Sequence, residues 1–305
     1  MQEKHHRFGH RFLRQPMALA SLAFLVIVLA LGLAVPWIAQ WTGLDLDTVD
    51  LLAARQPPSA QHWLGTDELG RDFLLRLLQG GRISLAVALA AALGAALVGT
   101  VIGLLAGERG GLIDALLMRT TDAVIALPLL PLLIVLSAVD LTKLGLSQEL
   151  AASDTTKLLR LVVIVVLVGW TTTARLVRSA TLAAMGQDYV RAARALGAPP
   201  LRVLWRHVLP NITTPLIVAT AISAGQIILF ESVLSFLGLG LDPATPSWGR
   251  MLAGAQDLLW DAPHLALFPG IAIFLTVAAC NLLGDGLQRA LDPREAPATG
   301  LVSAP

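Results

Sequence analysis

The sequence predicts an all-α polytopic membrane protein with six transmembrane helices. Three observations carry that prediction. Of its 305 residues, 55% are hydrophobic and 14% charged, against about 25% charged in a typical soluble domain. The mean hydropathy is +0.71. The apolar residues gather into blocks rather than amphipathic stripes, and a helix needs about 20 of them to cross the roughly 30 Å hydrocarbon layer. Six segments reach or approach that length: 17–39, 83–106, 113–138, 158–178, 210–233 and 265–287.

The third observation is the sorting of Arg and Lys by loop. Lys4, Arg7, Arg11 and Arg14 precede the first segment, with Glu3 as the one acid. Arg175, Arg178, Arg191, Arg194, Arg202 and Arg206 surround the connection after the fourth, against Asp188. Segment 40–82 instead carries Asp45, Asp47, Asp50, Asp67, Glu68 and Asp72 against Arg55, Arg71, Arg76 and Arg82. Positive-inside bias puts both termini, the 107–112 turn and the 179–209 loop in the cytoplasm. The net charge of +1 adds little, because placement matters more than sum. Cys280 is the sole cysteine, so the chain forms no internal disulfide.

The first segment is too long for the core of a secretion signal, and no small-residue cleavage site follows it. It keeps aromatics in "GLAVPWIAQW", as a retained span does at the interface. Segment 40–82 breaks at Pro57-Pro58 and turns at Gly65. Thr66 or Asp67 is expected to cap a short helix carrying Leu69, Phe73 and Leu77, which rests on the membrane surface or forms an elbow before span two. Span two places Gly99, Gly103 and Gly107 at four-residue steps, extended by Ala95 and Ala88. Such a stripe lets helix backbones approach closely, either inside the bundle or at a partner subunit.

Span three contains Pro128 and Pro131, so a kink is expected there. Asp114, Arg119 and Asp122 lie in its first turns, with Arg119 and Asp122 spaced to pair. Span five is more polar, with Thr213, Thr214, Thr220, Ser223, Gln226 and Glu231. These groups should face protein or water rather than lipid. Ser223, Gln226 and Glu231 are the candidates for lining a polar path, with an interhelical hydrogen-bonding role as the alternative.

Several chemistries are excluded. The lysines are Lys4, Lys143 and Lys157, and none follows a glycine, so no phosphate-binding Gly-Lys-Ser/Thr loop exists. The histidines are His5, His6, His10, His62, His207 and His264, none in a His-Glu-x-x-His pattern. No Gly-x-Ser-x-Gly elbow occurs. No catalytic constellation, bound metal or cofactor is expected in this chain, and no nucleic-acid partner.

The loop "DYVRAARALGAPPLRVLWRHVLPN" between spans four and five carries the functional signal. Residues 188–196 favour a helix, Gly197 suits its left-handed close, and Pro199-Pro200 begins a second helix over 201–208. The second helix presents Leu201, Leu204, Trp205 and Val208 at helical spacing. A rigid basic protrusion of this kind is suited to docking a cytosolic partner.

The loop resembles the cytoplasmic EAA motif of ABC importer permeases: Glu-Ala-Ala, three residues, Gly, nine residues, Ile-x-Leu-Pro. Ala192, Ala193, Gly197, Leu209 and Pro210 fall at those spacings, with Arg191 in the place of the Glu and His207 in that of the Ile. "HWLGTDELGRD", "ESVLSFLGLGLDPATPSWGRML" and "PGIAIFLTVAACNLLGDGLQRALDPR" extend the likeness over nearly the whole chain. Together these blocks resemble the second permease subunit of the dipeptide/oligopeptide/nickel branch. The resemblance implies a type I importer fold and a coupling helix that enters a groove of the ATP-binding subunit, with Tyr189, Arg191, Ala192, Ala193, Arg194, Gly197, Leu201 and Arg202 as coupling residues. It implies a homologous second permease, two ATP-binding subunits that hold ATP and Mg, and an extracytoplasmic binding protein, all at the bacterial inner membrane.

On this reading residues 1–82 hold a cytoplasmic tail, the first span and an outer segment. Residues 83–290 form the five-helix core and 291–305 a cytoplasmic tail. The expected cargo is dipeptides or oligopeptides. A nickel or metal-chelate permease and a stand-alone secondary transporter or channel are the alternatives, the latter disfavoured because the deep spans hold few acids.

Overall fold

The computed structural model describes residues 12–240 and 245–291. Among them the structure is helical, without a β-strand. The helices in chain order are α1 (Pro16–Thr42), α2 (Phe73–Arg109), α3 (Gly111–Ala126), α4 (Leu129–Ser137), α5 (Gln148–Ala152), α6 (Asp154–Met185), α7 (Asp188–Ala195), α8 (Pro200–Phe236), α9 (Trp248–Met251), α10 (Ala255–Leu258) and α11 (His264–Leu291). Among the described residues, α1, α2, α6, α8 and α11 are long and apolar enough to cross a membrane. The sixth span is the pair α3 and α4, bent by 86°. Lys4, Arg7 and Arg11 near the N-terminus, Asp242 and the tail after Leu291 lie outside the described residues.

The third span is therefore broken rather than kinked. Pro128 forces Leu127 into an extended conformation, ψ 134°, because its ring crowds the preceding residue. Pro128 then stands as the N-cap of α4. Pro131 fits inside the first turn of α4, where a helix has no acceptor for its N–H.

The expected short helix beginning at Thr66 or Asp67 does not form. Gly70 adopts a left-handed φ of 75° and breaks the run. The Asp67 carboxylate closes that turn by accepting the N–H groups of Leu69 at 2.9 Å and Arg71 at 3.0 Å. The Thr66 hydroxyl is held by Ala53 O and Gln56 N–H. Asp72 is the cap, taking the Leu75 N–H at 2.9 Å, and α2 runs unbroken from Phe73. The boundary drawn at 82/83 thus falls inside a helix.

The glycine stripe of α2 packs within the chain. A Cβ on Gly99 would lie 2.6 Å from Trp170 O, and one on Gly103 would lie 2.6 Å from Ala174 O. At Gly107 it would meet Thr181 Cβ at 2.7 Å. Hydrogen is what permits α2 and α6 to touch backbone to backbone. One core cluster then forms from Ala88, Ala91 and Ala92 of α2, Val165 of α6, Ile227 and Ile228 of α8, and Ile273 and Cys280 of α11.

The charges of α3 pair with α6 rather than with each other. Asp122 binds Arg175 Nη2 at 2.6 Å, not Arg119. Asp114 meets Arg178 through both carboxylate oxygens, with Arg178 Nη2 at 2.6 Å. Two antiparallel helices bring these four residues to one end of the bundle, where they tie α3 to α6.

Candidate functional site

That same end carries the loop the sequence singled out. α7 starts after Gln187, with Asp188 in its first turn, where the helix dipole favours an acid. It closes in a Schellman arrangement. Gly197 N–H bonds Arg194 O at 2.9 Å, Ala198 N–H bonds Ala193 O at 3.1 Å, and Gly197 has φ +80°. A Cβ at Gly197 would meet nothing within 4 Å, so the backbone conformation alone demands glycine there. Pro199 is the N-cap of the next helix and Pro200 its first residue.

The second helix of the expected pair is not a separate element. Pro200–Val203 passes through a π-helical turn, Leu204–Val208, directly into the span. Leu209 N–H reaches back to Leu204 O in that turn. Pro210 supplies the cause: it offers no N–H to Arg206 O, and its ring would crowd that carbonyl in a regular α-turn. The elbow and span five are one continuous rod of 37 residues.

Apolar pins fasten the elbow. Val190 of α7 and Val203, Val208 and Ile212 of α8 are buried together with Leu104, Val177 and Ala184 of α2 and α6. Asn211 Nδ2 donates to Tyr189 OH at 3.2 Å and to His207 O at 2.7 Å. On the outer face of the elbow, Leu196 is 88% exposed, Leu201 65% and Trp205 64%. Arg191, Ala192, Arg194 and Arg202 are exposed around them and Ala193 is half-buried. Exposed large apolar side chains rimmed by charged ones are the pattern that interaction surfaces share.

Sequence reasoning missed Glu108, at the end of α2. Its carboxylate pairs with Arg109 at 3.2 Å and reaches Arg194 of α7 at 3.8 Å. Its position as an acid among the basic residues of this end was the available signal.

The three candidate path residues separate. Gln226 is exposed and Ser223 half-buried on the neighbouring side of α8. Glu231 is wholly buried. Five residues on a helix turn it about 140° from Gln226, so the two do not share a face. The Glu231 carboxylate instead accepts hydrogen bonds from Ser235 and Ser247 at 2.8 Å each and from Ser84 at 3.2 Å. Trp248 N–H caps the Ser84 hydroxyl at 3.3 Å, and Trp248 Nε1 donates to Leu77 O at 2.9 Å. This node joins α2, α8 and α9, the interhelical role left open by the sequence.

Residues 99–296 match the family described as binding-protein-dependent transport system inner membrane component. Residues 6–58 match the N-terminal TM domain of oligopeptide transport permease C. The chain is 39% identical over 289 residues to the glutathione transport system permease protein GsiD of Shigella flexneri serotype 5b (strain 8401), covering 95% of this chain and 90% of that protein. It is 40% identical over the same length to GsiD of Escherichia coli O6:K15:H31 (strain 536 / UPEC). Among solved structures, an amino acid ABC transporter crystallised with histidines superposes with a TM-score of 0.52 at 14% identity, over 71% of this chain and 94% of that one. At that identity the likeness shows the fold alone.

Proposed function

Because the chain belongs to the family of binding-protein-dependent transport system inner membrane components, we propose that it forms half of the translocation path of an ATP-driven importer of short peptides. The cargo reading is supported by the match to oligopeptide transport permease C and by relatives named for glutathione, itself a tripeptide. Dipeptides, oligopeptides and glutathione-sized tripeptides are the cargo class. The partners are a homologous permease, two ATP-binding subunits that hold ATP and Mg, and an extracytoplasmic binding protein. This chain binds no cofactor of its own. The α7 end and both termini face the cytoplasm, an orientation that rests on the sorting of Arg and Lys.

The observation that carries the reading is the pinned elbow at Gly197. An ATP-binding subunit that grips Leu196, Leu201 and Trp205 grips a rod continuous with span five. Val190, Val203 and Val208 lock α7 to that rod. Movement of the ATP-binding subunits is therefore passed to α8 as a rigid-body displacement instead of being absorbed by a loop. The Ser223/Gln226 side of α8 faces the second permease across the path, where scattered neutral polar groups let varied side chains pass. Discrimination then belongs to the binding protein.

A deletion strain complemented by this chain tests the cargo. Restored uptake of di- and tripeptides is expected, and restored nickel uptake without peptide uptake would overturn the assignment.

A further inference from the structure

We propose that a cavity at the end of the bundle opposite α7 binds a carboxylate, with Arg250 as the recognising cation. The cavity has a volume of about 190 Å³ and lies between segment 67–76 and the chain from Arg250 to Leu265. Three arginines line it, Arg71, Arg76 and Arg250, with two acidic residues, Asp67 and Glu68.

Asp67 is fully engaged by the protein itself. Its Oδ2 holds Arg71 Nη2 at 2.8 Å and Arg76 Nε at 3.3 Å. Its Oδ1 holds the Leu69 and Arg71 N–H groups. Glu68 is exposed, where water screens its charge. Arg250 is half-buried, and among the described residues its guanidinium makes no ion pair. It lines a cavity whose apolar wall includes Phe73, Met251, Leu258 and Leu265. A cation at an apolar wall is worth more to an incoming anion than one in open water.

The ligand group follows from size and geometry. Pockets that enclose a whole small molecule measure roughly 300–1,000 Å³, so this one receives one end of something larger. A guanidinium fork matches a carboxylate through two parallel hydrogen bonds. The site rests on the importer reading, which places this end outside the membrane. Two sources then present a carboxylate there: the C-terminus of a peptide and an acidic side chain of the binding protein.

The test uses the complete reconstituted importer with Arg250→Gln and Arg250→Lys. ATP hydrolysis is followed as binding protein is titrated in, saturated with a tripeptide or with its C-terminal amide. Loss of a charge-assisted hydrogen bond raises the half-stimulating concentration about tenfold for Arg250→Gln, and less for Arg250→Lys. A rise with the free acid alone identifies the peptide carboxylate, and an equal rise with both identifies the binding protein. If Arg250→Gln does not assemble, Arg250→Lys decides on the same criterion. An unchanged concentration in a stimulated complex overturns the site alone. Absence of stimulation in the unaltered complex overturns the importer reading and the site with it.

Discussion

Ser84 of α2 and Glu231 of α8 are joined by a hydrogen bond of 3.2 Å across 147 positions of sequence. Ser235 and Ser247 complete the set around the same carboxylate. The node fastens α9 and its flanking loop to two spans. Each hydroxyl can donate or accept, so Glu231→Gln keeps a bonded network. Glu231→Leu removes the acceptor of three buried hydroxyl protons, at about 1–3 kcal/mol for an unsatisfied buried group. A lower melting temperature in detergent is expected for the Leu variant than for the Gln variant. Equal melting temperatures would contradict the structural role.

Accessibility separates Gln226 from Glu231. On a Cys280→Ala background, a cysteine at 226 in the assembled importer should react with a water-soluble thiol reagent, and one at 231 should not. Peptide at saturating concentration should slow labelling at 226. Crosslinking of position 226 to lipid alone would remove it from the path.

Gly103 tests the contact between α2 and α6. Its Cβ would sit 2.6 Å from Ala174 O and 2.7 Å from Val177 Cβ, so neither helix can yield by moving a flexible side-chain tip. Gly103→Leu is expected to lower the yield of the chain expressed alone by severalfold. A normal yield alone, with failure only on mixing with the second permease, would move the stripe to an intersubunit contact.

Much of this architecture is legible in the sequence because its signals are local. The positions of the spans follow from apolar runs, and the elbow follows from Gly197 with Pro199-Pro200. What escaped depends on partners distant in sequence. Polarity marked Glu231 as turned away from lipid but could not tell a path from a serine cluster contributed by α2, α8 and the chain before α9. Asp122 has Arg119 three residues away, yet tertiary packing brings Arg175 closer. At Pro128 the sequence reveals a weak point, while the 86° bend depends on where α4 lies after the break. Thr66, Asp67 and Asp72 are all plausible caps by residue type, and the left-handed Gly70 decides among them.

Gly197 carries a purely backbone requirement, because a side chain there meets nothing within 4 Å. Forcing a β-branched residue to φ +80° costs on the order of 1–2 kcal/mol. Gly197→Val is therefore expected to insert and assemble with normal spans while tilting α7 against α8. Substrate-stimulated ATP hydrolysis should fall with basal hydrolysis retained. Normal transport in an assembled Gly197→Val complex would contradict the coupling role of the elbow.

The most direct measurement is to place a photo-crosslinking residue at Leu201 and irradiate intact cells expressing the whole importer. Leu201 is 65% exposed on the outer face of the elbow, away from the pins that hold it. The account predicts a covalent adduct between this chain and an ATP-binding subunit, with yield that changes when ATP is trapped. Adducts formed only with lipid or with an extracytoplasmic protein would contradict it.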